Sequence, residues 1–318
     1  MRALVADRPM TSTSLATPAA APALRAADLG LLALLTLGWG ANWPIMKVAL
    51  EGFPLWTFRA LCVIAGAAGL LGIALATRQK VALPRRSWPS FVAISFFNIT
   101  AWNLGALYAL TRLPSGRAAV IAYTMPLWAI LLGPLVLGET IDRWRGLGLA
   151  LGMAGLGLLI ANDAASLAAA PVGAALMLVA AISWAIGTVL LKRFPVPVPA
   201  TANVGWQMAI GGLPIVIGAF VLDWGNPPVL ALEPVLATLY NMLVCFIYCY
   251  WAWTRLVLRL PVAVAGISTL MIPVVGTVSG MLMLGERPGA ADFAGLALIL
   301  GALVCVLIAP QILARRRR

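Results

Sequence analysis

The chain has no histidine, and only 10 of its 318 residues are Asp or Glu. Charged residues of all kinds make up 10% of it, against about 25% in soluble proteins. Each shortage closes off a class of chemistry. Without histidine, the side chain that most readily changes charge near neutral pH is missing, and no zinc site of mixed Cys and His ligands can be assembled. The four cysteines, Cys62, Cys245, Cys249 and Cys305, all sit inside apolar runs. Such cysteines act as small packing residues and offer no disulfide framework. The carboxylates are Asp7, Asp28, Glu51, Glu139, Asp142, Asp163, Asp223, Glu233, Glu286 and Asp292, and every one falls in a tail, a loop or a helix end. No two acids share an apolar run, which speaks against a membrane-embedded enzyme. The same absence leaves no buried carboxylate or histidine to relay protons. No metal or cofactor is implied.

Apolar residues fill the space: 62% of the chain is hydrophobic and the mean hydropathy is +0.99. No soluble core could hide so much apolar surface, so lipid is the solvent the composition selects. A spanning helix needs about 20 predominantly apolar residues. That ruler gives ten spans, at roughly 28–50, 54–77, 88–110, 114–137, 144–161, 171–191, 201–222, 234–256, 260–284 and 291–310. The expected fold is therefore all-α and polytopic. The net charge of +12 sits in short clusters between these runs, not on one face, so nucleic acid is not the expected partner. With the N-terminus placed inside, 17 of the 22 Lys and Arg fall on the inner side, which predicts that both termini are cytoplasmic. Residues 1–27 read as a disordered cytoplasmic tail, rich in Ala, Thr, Ser and Pro, and residues 311–318 as a basic one.

An internal repeat organises the rest. PLWAILLGPLVLGE at 126–139 answers to PVVGTVSGMLMLGE at 273–286, an offset of 147. Leu113-Pro114 matches Leu260-Pro261 and Arg112 matches Arg259 at that offset, while Gly146 and Gly152 match Gly295 and Gly301 two residues later. The repeats are 28–162 and 163–310, five helices each. An odd number per half makes the second run oppositely through the bilayer, as alternating access requires. The doubled Pro-to-Leu-Gly-Glu stretch, the string Gly38-Trp39-Gly40-Ala41-Asn42-Trp43 and Arg59 resemble the EamA-like proteins of the drug/metabolite transporter superfamily, among them aromatic amino-acid exporters of the YddG type. The resemblance implies a ten-helix carrier in a bacterial inner membrane, monomeric or homodimeric, whose central cavity is lined by helices 1, 3, 4, 6, 8 and 9.

Candidate lining residues come from helical spacing and depth. Trp39, Asn42, Trp43 and Met46 share one face of helix 1. Helix 3 offers Asn98, Trp102 and Tyr108, helix 4 Tyr123, helix 6 Trp184 and Thr188, helix 8 Asn241, Tyr248 and Trp251, and helix 9 Ser268 and Thr269. Such residues also serve as packing seams or interfacial belts; the belt reading suits Trp88, Trp144 and Trp224, at helix ends. Pro126 and Pro273 are expected mid-helix, as matched bend points. Arg59 either snorkels to the outer interface, as Lys47 does, or turns inward to meet a substrate carboxylate. Glu139 and Glu286 gate, or simply fix a helix end by pairing with a basic neighbour such as Arg143 or Arg287. The expected function is export of small neutral or zwitterionic metabolites, amino acids including aromatic ones, driven by the substrate's own gradient. The alternative cargo is hydrophobic drugs or organic cations held over Trp faces.

Overall fold

The computed structural model describes residues 25–113, 118, 121–162, 171–260, 269, 271–284 and 289–305. Ser268, Glu286, residues 1–24 and residues 311–318 lie outside the described residues, and the first helix begins at Ala26, inside the expected tail of 1–27. Ten apolar helices are traced in what is described: α1 (Ala26–Gly40 and Asn42–Gly52), α2 (Leu55–Ala76), α3 (Arg85–Leu110), α4 (Met125–Leu137), α5 (Arg143–Asn162), α6 (Pro171–Arg193), α7 (Ala200–Leu222), α8 (Leu232–Arg259), α9 (Met271–Leu284) and α10 (Ala290–Leu303). Helices α2, α3, α6, α7 and α8 are each long and apolar enough to cross a membrane, and α1 is one span bent by 41°. Helices are what a chain in lipid must form, since each satisfies its own backbone polar groups.

Local sequence sets the boundaries. Pro54 and Pro199 stand just before α2 and α7, and Pro171 opens α6; proline is preorganised for a helix start, where its missing N–H is not needed. Helix α4 stops at Gly138, whose φ of 66° a side chain would resist. The Asp223 carboxylate, at the end of α7, accepts from the Thr57 backbone N at 2.7 Å and from its hydroxyl at 2.9 Å. It thereby caps the positive end of α2 from the other repeat.

The packing follows a two-fold exchange. Helix α1 lies against α8 and α9, α6 against α3 and α4, α2 against α7, and α5 against α10. Exchanging each helix with the one five places on reproduces the set, so the chain is two inverted five-helix repeats. Even lipid-facing positions obey it: Leu135 is 81% exposed and its repeat mate Leu282 is 82%. Exposed leucines are expected where the surrounding solvent is hydrocarbon. Between helices, polar pins replace hydrophobic drive. Thr100 donates to the Gly211 carbonyl at 2.6 Å, Ser183 to the Phe97 carbonyl at 2.7 Å, and Asn98 to Gln207 Oε1 at 3.1 Å.

Two local features depart from regular spans. Helices α3 and α8 each widen into a π-helical segment, Phe96–Ala101 and Asn241–Cys249. Such wide turns are rare and shift the register of everything that follows. The prolines also sit differently from the mid-helix positions expected. The chain turns at Tyr123 and Thr124, and α4 restarts with Pro126 as its second residue; Pro273 is the third residue of α9. In a first turn a proline removes no helical bond, so neither proline interrupts its described helix.

Candidate functional site

A cavity of about 80 Å³ lies at the centre of the bundle. Helix α1 contributes Trp39, Asn42, Trp43 and Met46, and α2 contributes Arg59. Helix α3 contributes Trp102, Asn103, Ala106 and Leu110, the start of α4 contributes Ala122, Tyr123 and Met125, and α6 contributes Trp184. Cys245, Phe246 and Tyr250 of α8 and Ile272 of α9 complete it.

Aromatic rings dominate the wall. Trp39 and Trp184 meet edge to face with ring centres 5.8 Å apart. Tyr250 lies edge-on to both, at 5.7 Å from Trp39 and 5.4 Å from Trp184, and Trp102 meets Trp184 at 5.2 Å. These T-shaped contacts are the geometry the ring quadrupole favours. Trp43 Nε1 donates to the Tyr123 hydroxyl at 2.8 Å, so the Trp43 donor is satisfied inside the protein. The buried Asn42 Oδ1 has no partner. Among the described residues, no carboxylate lines the cavity.

Arg59 does not snorkel. It is 5% exposed, while Lys47 is exposed. Its guanidinium carbon lies 5.3 Å from the Phe58 ring centre and 5.4 Å from that of Phe246. Nη2 approaches Met46 Sδ at 3.1 Å, and Nε makes no hydrogen bond.

Of the residues singled out from sequence, Trp39, Asn42, Trp43, Trp102, Tyr123, Trp184 and Arg59 come together here. Pro126, Thr188 and Thr269 line a small neighbouring space of about 10 Å³ behind Trp184, the size of one water at most. Others lie elsewhere. Asn98 is buried against α7, bonded to Gln207. Tyr108 is six residues past Trp102, off the face that carries Ala106 and Leu110, and it packs on Trp56 at 5.7 Å. Asn241 is buried and donates to the Ala237 carbonyl at 3.0 Å. Tyr248 and Trp251 pair with each other at 6.1 Å on another face of α8.

On α8 the face turned to the cavity carries Cys245, Phe246 and Tyr250, and the π segment Asn241–Cys249 lies at that face. The readable signal was the stripe Phe246, Tyr250 and Trp253 at i, i+4 and i+7. Asn103, also missed, donates to the Ile99 carbonyl at 2.7 Å and stands 3.5 Å from the Tyr250 hydroxyl.

Among the described residues, two ion pairs join the repeats at the ends of α1, α4, α6 and α8. Arg259 Nη1 meets Asp28 Oδ1 at 2.8 Å. Lys192 Nζ meets Glu139 Oε1 at 2.5 Å and donates to the Leu260 carbonyl at 2.8 Å. Glu139 thus forms an ion pair across the repeats, with a lysine of α6.

Known proteins share this arrangement. The chain is 28% identical over 283 residues to the uncharacterized transporter YvbV of Bacillus subtilis, covering 87% of this chain and 90% of that protein. It is 29% identical over 291 residues to a probable amino-acid metabolite efflux pump of Escherichia coli, covering 86% and 93%. A solved structure, described only as a protein crystal structure, matches 92% of this chain and all of its own with a TM-score of 0.75 at 21% identity, which speaks to the fold alone. The EamA-like transporter family matches at residues 28–161 and again at 171–308. The protein is therefore a multi-pass membrane transporter, and it belongs to the EamA-like transporter family.

Proposed function

We propose that the protein is a secondary transporter that exports small neutral or zwitterionic metabolites, amino acids including aromatic ones, across a bacterial inner membrane by alternating access. The observation that carries this reading is the wall of the cavity: four tryptophans and two tyrosines with asparagine groups between them and, among the described residues, no carboxylate. Rings offer stacking and asparagine offers hydrogen bonds, the combination that suits an amino acid. A cavity of about 80 Å³ holds about six waters, at about 10–15 Å³ each. That is room for a small amino acid; a larger one requires the site to widen as it opens. The organic-cation alternative is disfavoured by Arg59, whose buried charge repels a cation from the same wall. The similarity to the E. coli efflux pump supports the amino-acid reading.

The test is counterflow in proteoliposomes loaded with a panel of unlabelled amino acids. Labelled L-phenylalanine or L-threonine is expected to enter only when a transported amino acid is trapped inside. Exchange of quaternary ammonium compounds, with none for amino acids, would overturn the reading.

A further inference from the structure

A buried arginine needs a counter-charge, because taking a cation out of water is costly unless it is paired. Among the described residues Arg59 has none. Its side chain is buried, its Nε makes no hydrogen bond, and the partner of Nη2 is the Met46 thioether, a weak acceptor. The flanking Phe58 and Phe246 rings attract the guanidinium but cannot accept its N–H groups as an anion does. Among the described residues no carboxylate pairs with it. The guanidinium opens onto the central cavity.

We infer that Arg59 is the binding group for a carboxylate carried by the substrate. The inference rests on the transport reading above and adds what the cargo must contain. The planar fork of N–H groups matches a carboxylate two bonds at a time. One positive charge, with no second cation in the wall among the described residues, matches a single negative charge better than a doubly charged phosphate. On the same wall the buried Asn42 Oδ1 lacks a donor. It is an acceptor for the ammonium of a zwitterion, whose apolar part then lies among Trp39, Trp102 and Trp184. The bound carboxylate turns an uncompensated cation into a neutral pair, so substrate binding itself relieves the cost of burying Arg59.

The experiment measures binding to the purified protein by intrinsic tryptophan fluorescence, and counterflow in proteoliposomes. The probes are L-phenylalanine, phenylalaninamide, phenethylamine and 3-phenylpropionate. The two carboxylates are expected to bind at least about tenfold more tightly than the amide and the amine, in line with a charge-assisted bidentate pair. Arg59→Gln is expected to erase that preference, and Arg59→Lys to keep part of it, since the charge remains and the fork is lost. Equal binding of acid and amide by the wild-type protein overturns the inference whether or not any variant folds. So does an Arg59→Gln protein that folds and retains the preference. If 3-phenylpropionate binds in an Arg59-dependent way but no amino acid binds or moves, the amino-acid reading falls and the role of Arg59 stands. If no probe binds, both fall.

Discussion

Arg259, the last residue of α8, donates to the carboxylate of Asp28, in the first turn of α1, across 2.8 Å. The two residues belong to different repeats, and the mate of this pair is missing. Arg112, which answers to Arg259, is exposed and bonds the Tyr108 carbonyl at its own helix end. Where Arg259 meets Asp28 of α1, Arg112 meets Gly173 of α6, which packs directly on Arg112 and Leu113. One side of the bundle is tied by an inter-repeat ion pair at a place where the other side has a glycine.

Removing Arg259 leaves Asp28, 3% exposed, as an uncompensated charge. Arg259→Gln is expected to destabilise the protein by about 2 kcal/mol, less than the ~3–5 of a fully buried pair because the arginine side is partly exposed. Adding Asp28→Asn should recover part of that loss. Melting temperatures of the two single variants and the double, read as a double-mutant cycle, check this. Strict additivity would show that the pair is not coupled.

The cavity assignment predicts a contrast within one class of residue. Trp184→Phe and Trp43→Phe are expected to reduce counterflow by roughly tenfold while leaving the protein folded, since each ring touches the cavity and a ring is retained. Tyr248→Phe, on another face of α8, is expected to transport within about twofold of wild type, as substitutions away from a site usually do. A Tyr248 variant that fails while both Trp variants work would place the substrate elsewhere.

Energetic coupling to protons needs a titrating group that alternates with the site. The described cavity wall has no carboxylate and the chain has no histidine. With equal substrate on both sides and an imposed pH gradient, no net accumulation is expected. Accumulation abolished by a protonophore and by Glu139→Gln would make the Glu139–Lys192 pair the coupling element.

Helix α7 touches α3 closely at Gly211, where an added Cβ would lie 2.4 Å from the Ser95 carbonyl oxygen, a backbone atom that cannot swing aside. Gly211→Ala is expected to cost about 1–3 kcal/mol by overpacking and to strain the Thr100 bond to the Gly211 carbonyl. Gly30→Ala, with nothing within 4 Å of the added atom, is the matched control and should be neutral. Thermal unfolding in detergent separates the two.

Charge distribution predicts that both termini face the cytoplasm. Cysteines placed at Ser12 and Arg315, with the four native ones replaced, should resist an impermeant maleimide in intact cells and react after permeabilisation. Labelling of either one from outside would reverse the topology.

Composition and period alone determined the solvent, the helix count and the duplication, because hydropathy and a 147-residue offset survive in the order of residues. Spacing on α1 was equally legible: Trp39, Asn42 and Trp43 share a face in a regular helix, and they line the cavity. On α8 the same logic selected Tyr248 and Trp251, and tertiary structure decided for Phe246 and Tyr250. A π segment inserts its offset without any sequence mark as plain as a proline. The direction of Arg59 and the partner of Glu139 were decided in the same way. A side chain near a helix end can reach either solvent or interior, and which it meets depends on the helices that pack beside it. For Arg59 these placed Met46 and Phe246 at its guanidinium, and for Glu139 they placed Lys192 of the opposite repeat.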